Sequence, residues 1–223
     1  MCVKENELMR AIGVAIKYFF DFILALLASI ITFPIIGITL LIVKCKSPES
    51  PAIFKQKRVG KKGKEFWIYK IRTMTNERDE NGELLPDEVR LKKWGKVIRK
   101  MNIDELPQAW NILKGQMSWI GPRPLLLKEM SVMTEEEQKE RQSMRPGISG
   151  WEAVNEEKTD DRVEMAKYDL YYVRNWSLWF DIKILFKTVY IVLFGRRPDD
   201  ALRAPKLKEN QQGEQNESSD TSA

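Results

Sequence analysis

The sequence predicts a mostly helical, membrane-associated chain with a few short strands. Three observations carry that expectation. Phe22 to Val43 is an apolar run of 22 residues without a charge, and a bilayer core needs about 20. Two later stretches, Pro86–Met101 and Trp176–Phe194, carry apolar residues at helical spacing with charges between them. Phe66 to Arg72 has the composition of a strand.

The apolar run is longer than the core of a cleavable signal peptide and lacks a small-residue cleavage site. Pro34, near its middle, removes a backbone hydrogen bond and kinks a helix. Both flanks are basic, with Lys4, Arg10 and Lys17 before the run and Lys44, Lys46, Lys55, Lys57 and Arg58 after it. Positive charge marks the cytoplasmic side. A Pro-kinked span would export one cationic flank. A helix that enters, breaks at Pro34 and returns would keep both inside. The flanks leave both readings open.

From Ser47 to Pro86 the chain reads as loop and short strands, with Asn81-Gly82 as a turn signal. In Pro86–Met101, Leu91, Trp94, Val97, Ile98 and Met101 share one face, with Arg90, Lys92, Lys93, Lys96 and Lys100 largely opposite. A second helix is expected from Asp104 to just before Gly115, with Pro107 in its first turn, where a missing N–H is harmless. Gly121-Pro122-Arg123-Pro124 and Arg145-Pro146-Gly147 read as rigid loops. Trp176–Phe194, with Asp181, Lys183 and Lys187 as its polar marks, reads as an interfacial amphipathic helix. The polar end, rich in Glu, Gln, Asn and Ser, is expected to be disordered.

A chain of 223 residues is one domain or one domain with appendages. It contains no histidine, so histidine triads and HExxH peptidases are excluded. A formal charge of +5 suits an anionic partner. Two cysteines without a CxxC argue against a disulfide scaffold or a thiolate zinc site. Seven tryptophans suit a boundary that is apolar on one side and wet on the other. Stacking tryptophans on a basic chain also allow nucleic-acid binding. The apolar run and the lack of a nucleic-acid motif oppose it.

Chemistry must then run on carboxylates, Lys, Arg or a metal held by oxygen. Asp104 and Glu105 stand side by side in Met101-Asn102-Ile103-Asp104-Glu105-Leu106-Pro107-Gln108. Asp is a preferred N-cap, which gives Asp104 a structural reading. Its functional reading uses the same helix start, whose N–H groups draw phosphate. Arg99, five residues upstream, can turn back over that spot. An Asp so placed could attack phosphorus, and Mg²⁺ suits such oxygen ligands. Lys70, Arg72 and Arg123 are further phosphate-ligand candidates, Arg123 on a backbone fixed by two prolines.

Read together, the blocks resemble the monotopic phosphoglycosyl transferases of the bacterial sugar transferase family, PglC-type enzymes in particular. They are Lys17-x-x-Phe20-Asp21, Phe54-x-Gln56-x-Arg58-x-Gly60, Tyr69-Lys70-x-Arg72-Thr73-Met74, Glu83-Leu84-Leu85-Pro86-Asp87, Asp104-Glu105-Leu106-Pro107-Gln108, Asn111-Ile112-Leu113-Lys114-Gly115, Gly121-Pro122-Arg123-Pro124, Arg145-Pro146-Gly147-Ile148-Ser149-Gly150-Trp151 and Asp169-x-Tyr171-Tyr172-Val173. They run in one order from about Lys17 to Leu193.

The resemblance implies a monotopic protein: a single α/β-type catalytic domain, mostly helical with few short strands, on an N-terminal re-entrant helix, with amphipathic helices in one leaflet. Residues 1–46 would be the re-entrant helix-break-helix, 47–200 the catalytic domain and 201–223 the tail. The implied reaction transfers a phosphosugar from a UDP-sugar to polyprenyl (undecaprenyl) phosphate, releasing UMP. Asp104 would be the nucleophile that carries the phosphosugar. Glu105 would hold metal with it or assist proton transfer. Mg²⁺ would be the cofactor. Lys70, Arg72, Arg99, Arg123 and Arg145 would hold phosphates. The implied location is the cytoplasmic face of a bacterial inner membrane, in contact with lipid of that leaflet. Nucleic acid is not an implied partner, and self-association into a homo-oligomer is left open.

Two departures stand out. Relatives often have Ser where Phe33 precedes the breaking proline. They read Gly-Trp-Ala-Gln-Val-Asn-Gly-Arg-Asn where this chain has Gly150-Trp151-Glu152-Ala153-Val154-Asn155-Glu156-Glu157-Lys158. The added acids in Glu152–Asp161 motivate a second reading, a catalytically silent membrane-anchored scaffold. The Glu83–Pro86 stretch tilts the sugar toward an N-acetylated aminosugar.

Overall fold

The computed structural model describes residues 2–155 and 162–195. Sequence expectations for Glu156–Asp161 and for the tail lie outside the described residues.

The first helix, α1 (Cys2–Lys46), is 45 residues long. Among the described residues it is one helix long and apolar enough to cross a membrane. It stays helical through Pro34, without the interruption expected there. Proline cannot donate to the carbonyl of Ile30. In the neighbouring turns Ser29, Thr32 and Thr39 donate their hydroxyls to Ala25, Ala28 and Ile35 carbonyls at 2.6, 2.8 and 2.7 Å. Such back-bonding eases bending without ending a helix.

One stripe of α1 meets the rest of the chain along nearly its whole length. Arg10 donates to Val173 O at 2.6 Å, and Val14 packs beside Tyr172 and Ile184. Ala25 is buried with Phe66, Ile68 and Ile112. Ile36, Leu40 and Val43 pack on Ile71 and Ile98. Steps of three and four residues keep these positions on one face. The other face leaves Phe19, Phe20, Leu27, Ile30, Ile31, Phe33 and Leu41 exposed.

The strand expected at Phe66–Arg72 is β2 (Glu65–Ile71). Its antiparallel partner is β1 (Ile53–Val59), with Phe54 opposite Lys70 and Arg58 opposite Phe66. Gly82, with φ of 81°, closes the turn expected at Asn81-Gly82. The single helix expected over Pro86–Met101 is corrected to two, α2 (Asp87–Arg90) and α3 (Lys93–Lys100). Tertiary bonds interrupt it: Arg90 O accepts from Thr75 N at 3.1 Å and Arg90 Nε donates to Thr75 O at 2.9 Å. Ile98 is buried as its periodicity predicts, but Val97 and Met101 face outward.

The helix expected from Asp104 begins one residue earlier as a 3-10 turn, Ile103–Gln108, and becomes α4 (Ala109–Leu113) only after Pro107. Gly115, at φ of 70°, follows its end. The two proline loops stay irregular except for Gly147, as expected, and adjoin a small sheet. β3 (Ser118–Ile120) pairs in parallel with β4 (Gly147–Ser149). Between them lie a 3-10 turn at Leu127–Val132 and α5 (Glu135–Arg141), capped by Thr134. α6 (Trp151–Asn155), α7 (Arg162–Arg174) and α8 (Leu178–Phe194) complete the described chain.

In the expected interfacial helix, Ser177 caps α8 and Trp176 lies before it. Phe186, Leu193, Phe194 and Trp179 are exposed. Asp181, expected as a surface mark, is buried instead: Lys17 meets its Oδ2 at 2.8 Å and Tyr172 OH donates to its Oδ1 at 2.6 Å. That pairing fastens α8 to α1.

Candidate active site

The site forms where β2, the Ile103–Gln108 turn and the β3–β4 pair converge. Phe66, Ile68 and Lys70 alternate onto the inner face of β2. The first two are core residues. Lys70 continues the same face past the core's edge, and its Nζ reaches Glu105 Oε1 at 2.6 Å. Asn102, in the left-handed region at φ of 54°, turns the chain into Ile103–Gln108 and occupies its N-cap. Asp104 is therefore not the cap, and its carboxylate lies buried at the edge of a cavity.

That cavity is about 450 Å³ and is lined by Arg58, Lys70, Arg72, Arg90, Arg99, Asp104 and Glu105. Arg99 is held by an Nε bond to Thr73 Oγ1 at 2.8 Å. Arg72 bonds Pro51 O and Asn76 Oδ1, both at 2.7 Å. Burial pulls Arg58 and Arg72 below the usual guanidinium value, and the charge of Arg90 adds to the effect at Arg72. Crowded cations of this kind suit a multiply charged anion. Burial raises the Asp104 carboxyl above its ordinary value and the charge of Glu105 raises it further, against Lys70, its own backbone N–H and Arg99.

A second cavity, about 240 Å³, opens on the other side of the Lys70–Glu105 pair. Its walls include Gln108, Arg123 and Glu152, and Arg58, Lys70 and Glu105 belong to both cavities. The third, about 470 Å³, is apolar and lies between α1 and α8, with Ala28, Thr32, Ile191 and Val192 among its lining. Asn102, the cap of the turn carrying Asp104, and Glu105 within that turn line it as well.

Thus Asp104, Glu105, Lys70, Arg72 and Arg99 come together, and Arg123 stands across Glu105 from them in the second cavity. Arg145 stands apart from all three: its guanidinium stacks on Tyr18 of α1, 3.8 Å from the ring centre. Sequence reasoning missed Arg58, Arg90 and Gln108 as site residues. The alternation Phe54-x-Gln56-x-Arg58 was the available signal for Arg58, because those side chains share a strand face.

Asp104 and Glu105 are the oxygen donors that could hold a metal. Among the described residues no group of three or more His, Cys, Asp or Glu side chains is placed to bind one. Two carboxylates fit Mg²⁺, which commonly takes one or two from protein and completes its shell with waters and substrate phosphates.

The bacterial sugar transferase family matches residues 12–195 of the chain. An uncharacterized sugar transferase of Bacillus subtilis (strain 168) is 47% identical over 178 residues, covering 80% of this chain and 87% of that protein. A UDP-N-acetylgalactosamine-undecaprenyl-phosphate N-acetylgalactosaminephosphotransferase of Aeromonas hydrophila is 39% identical over 207 residues, 86% of this chain but 48% of that protein. A UDP-glucose:undecaprenyl-phosphate glucose-1-phosphate transferase of Escherichia coli (strain K12) is 37% identical over 182 residues, 76% of this chain and 38% of that protein. The chain thus spans about half or less of these two relatives named for a substrate.

Proposed function

Because the chain belongs to the bacterial sugar transferase family, we propose that it moves a phosphosugar from a UDP-sugar to polyprenyl phosphate and releases UMP. One observation carries this reading. The segment holding Asp104 separates a cation-lined cavity from an apolar one between α1 and α8. A charged, water-soluble donor suits the first. A phosphate on a long apolar chain suits the second.

In the first step an Asp104 carboxylate oxygen attacks the sugar-bearing phosphorus. The bond from that phosphorus to the bridging oxygen breaks, and UMP leaves with the electron pair. Lys70, Arg99 and Arg58 neutralise the phosphate charge that would otherwise repel the carboxylate. In the second step a phosphate oxygen of polyprenyl phosphate attacks the same phosphorus. Asp104 is regenerated and polyprenyl-diphosphate-linked sugar is formed. Glu105 holds Lys70 at the junction of the cavities. Mg²⁺, held by Asp104 and Glu105 with the substrate phosphates, would supply further charge neutralisation.

The membrane arrangement belongs to the same proposal. Positions from Arg10, before the apolar run, to Val43, its last residue, pack on one body. A single crossing would put those contacts on opposite faces of the bilayer. Insertion of α1 into one leaflet, with a bend at Pro34 that leaves it helical and the basic flanks on the cytoplasmic face, would leave them intact. The scaffold reading rested on the acids from Glu152 onward, yet Glu152 is paired with Arg123 at 3.1 Å. Labelled UDP-sugar, given to the protein with Mg²⁺ and no polyprenyl phosphate, tests the mechanism. Release of UMP and label on Asp104 are expected. Release only when both substrates are present would replace it with direct in-line transfer.

A further inference from the structure

We infer that the 240 Å³ cavity holds the sugar ring of the donor, and that Gln108 and Glu152 select which sugar enters. The inference rests on the proposed donor reading and goes beyond it to the identity of the sugar-contacting groups.

Size comes first. Pockets for whole drug-sized ligands span roughly 300–1,000 Å³. At about 240 Å³ this one suits a single ring with its substituents. Its position comes next. It begins at Lys70 and Glu105, which also line the cavity containing Asp104. The group bonded directly to the attacked phosphate must lie beside that cavity. In a UDP-sugar this group is the sugar, whereas uracil is a further phosphate and a ribose away.

The lining supplies the recognition. Gln108 is 2% exposed, and its side-chain amide nitrogen is buried without a hydrogen-bond partner. Unpaired buried donors are rare in native folds. One bordering a cavity, in a turn next to the nucleophile, fits an acceptor brought by a ligand. Glu152 is likewise 2% exposed, and Arg123 Nη1 donates to its Oε1 at 3.1 Å. The pair holds the carboxylate in place at the cavity wall, and a carboxylate has acceptor sites for several donors at once, an O–H or N–H of a ligand among them. The rear wall is backbone. Gly121, just past the end of β3, and Gly147 of β4 cross so closely that a Cβ on either would strike the opposite main chain. The ligand class is a sugar with an acceptor for Gln108 and an O–H or N–H for Glu152. An acetamido group offers both on one substituent.

The test uses the full chain in lipid nanodiscs with Mg²⁺, polyprenyl phosphate and four donors: UDP-glucose, UDP-galactose and their N-acetylated 2-amino counterparts. UMP release is measured for wild type, Gln108→Leu and Glu152→Gln. For the preferred donor, kcat/KM should fall roughly 10- to 100-fold, because a polar partner is left unpaired. The preference among donors should narrow, and inhibition by UDP, which lacks the transferred sugar, should change less than about twofold. Loss of UDP inhibition in step with turnover would assign the cavity to the nucleotide. Unchanged rates and ranking in both variants would also overturn the inference. If Gln108→Leu melts early, Glu152→Gln carries the test alone. Failure of the enzymatic reading looks different: wild type releases UMP from none of the donors. Saturation-transfer NMR of the same donors then decides. Saturated sugar protons that Glu152→Gln releases would sustain the cavity assignment, and saturation confined to uracil or absent would overturn it.

Discussion

Two places in this protein set a pair of carboxylates around one lysine. In the first, Lys17 meets Asp181 at 2.8 Å and Asp21 at 3.9 Å. In the second, Lys70 meets Glu105 at 2.6 Å, with Asp104 adjacent in sequence. Donor supply, not residue type, separates them. The first pair also receives bonds from Ser118 Oγ, Trp119 N–H, Tyr172 OH and Trp176 Nε1. It is closed and saturated, and it ties α1 to β3 and α8. The second borders three cavities. Its charge stays open to a cavity, where the proposed phosphates and cation would meet it. A carboxylate cluster is structural when the fold satisfies it and available for chemistry when the fold does not.

The sharpest way to break this contrast is to neutralise one member of each cluster. Asp104→Asn removes the proposed nucleophile, and UMP release should drop by about 10³-fold or more. The fold should persist: burial and Glu105 raise the Asp104 carboxyl, so its ionisation costs stability as pH rises through its folded value. The variant should therefore melt no lower than wild type above the ordinary carboxylate range. A marked drop in melting temperature at neutral pH would make Asp104 a structural residue. Chelation of Mg²⁺ should abolish release by wild type. Full activity in excess chelator would remove the metal from the proposal.

Lys17→Met should do the reverse. It strands Asp21 and Asp181 in a buried site, and breaking such a pair costs about 3–5 kcal/mol. Thermal melting in nanodiscs should fall by several degrees or more, and turnover should be lost only as the fold is lost. A wild-type melting curve with abolished UMP release would place Lys17 in the chemistry instead.

The fold was legible where local pattern and tertiary demand agree. Phe66–Arg72 reads as a strand because Phe66, Ile68 and Ile71 must be buried. Its partner Ile53–Val59 stays hidden, since Lys55, Gln56, Lys57 and Arg58 carry little apolar alternation. The interruption between α2 and α3 was invisible because Thr75, a distant residue, takes the Arg90 carbonyl. At the candidate site, residue type and motif order pick out Asp104, Glu105, Lys70 and Arg99, and the fold brings these four to one cavity. Gln108 was not, because a Gln after a proline reads as an ordinary helix residue. Its isolation exists only once the turn is folded. Arg145 joined the phosphate set by its motif, yet in the fold its guanidinium lies on Tyr18.

The smallest expected effect sharpens the open pair from within. Burial and the charge of Glu105 favour protonated Asp104, whereas Lys70 and Arg99 favour the carboxylate. In the proposed mechanism the carboxylate attacks, so kcat/KM should fall as pH drops through a value above the ordinary carboxylate range. Glu105→Gln removes one of the raising charges and releases Lys70 from its 2.6 Å ion pair. Both changes favour ionised Asp104. Rates should therefore fall strongly overall, since the proposed metal loses a ligand, while the acid limb of the remaining activity moves to lower pH. The profile is measured from initial rates of UMP release at constant ionic strength. An acid limb that stays in place would show that Glu105 does not set the charge state of Asp104. A limb that moves upward would mean that Glu105 stabilises the carboxylate, opposite to the adjacency seen here.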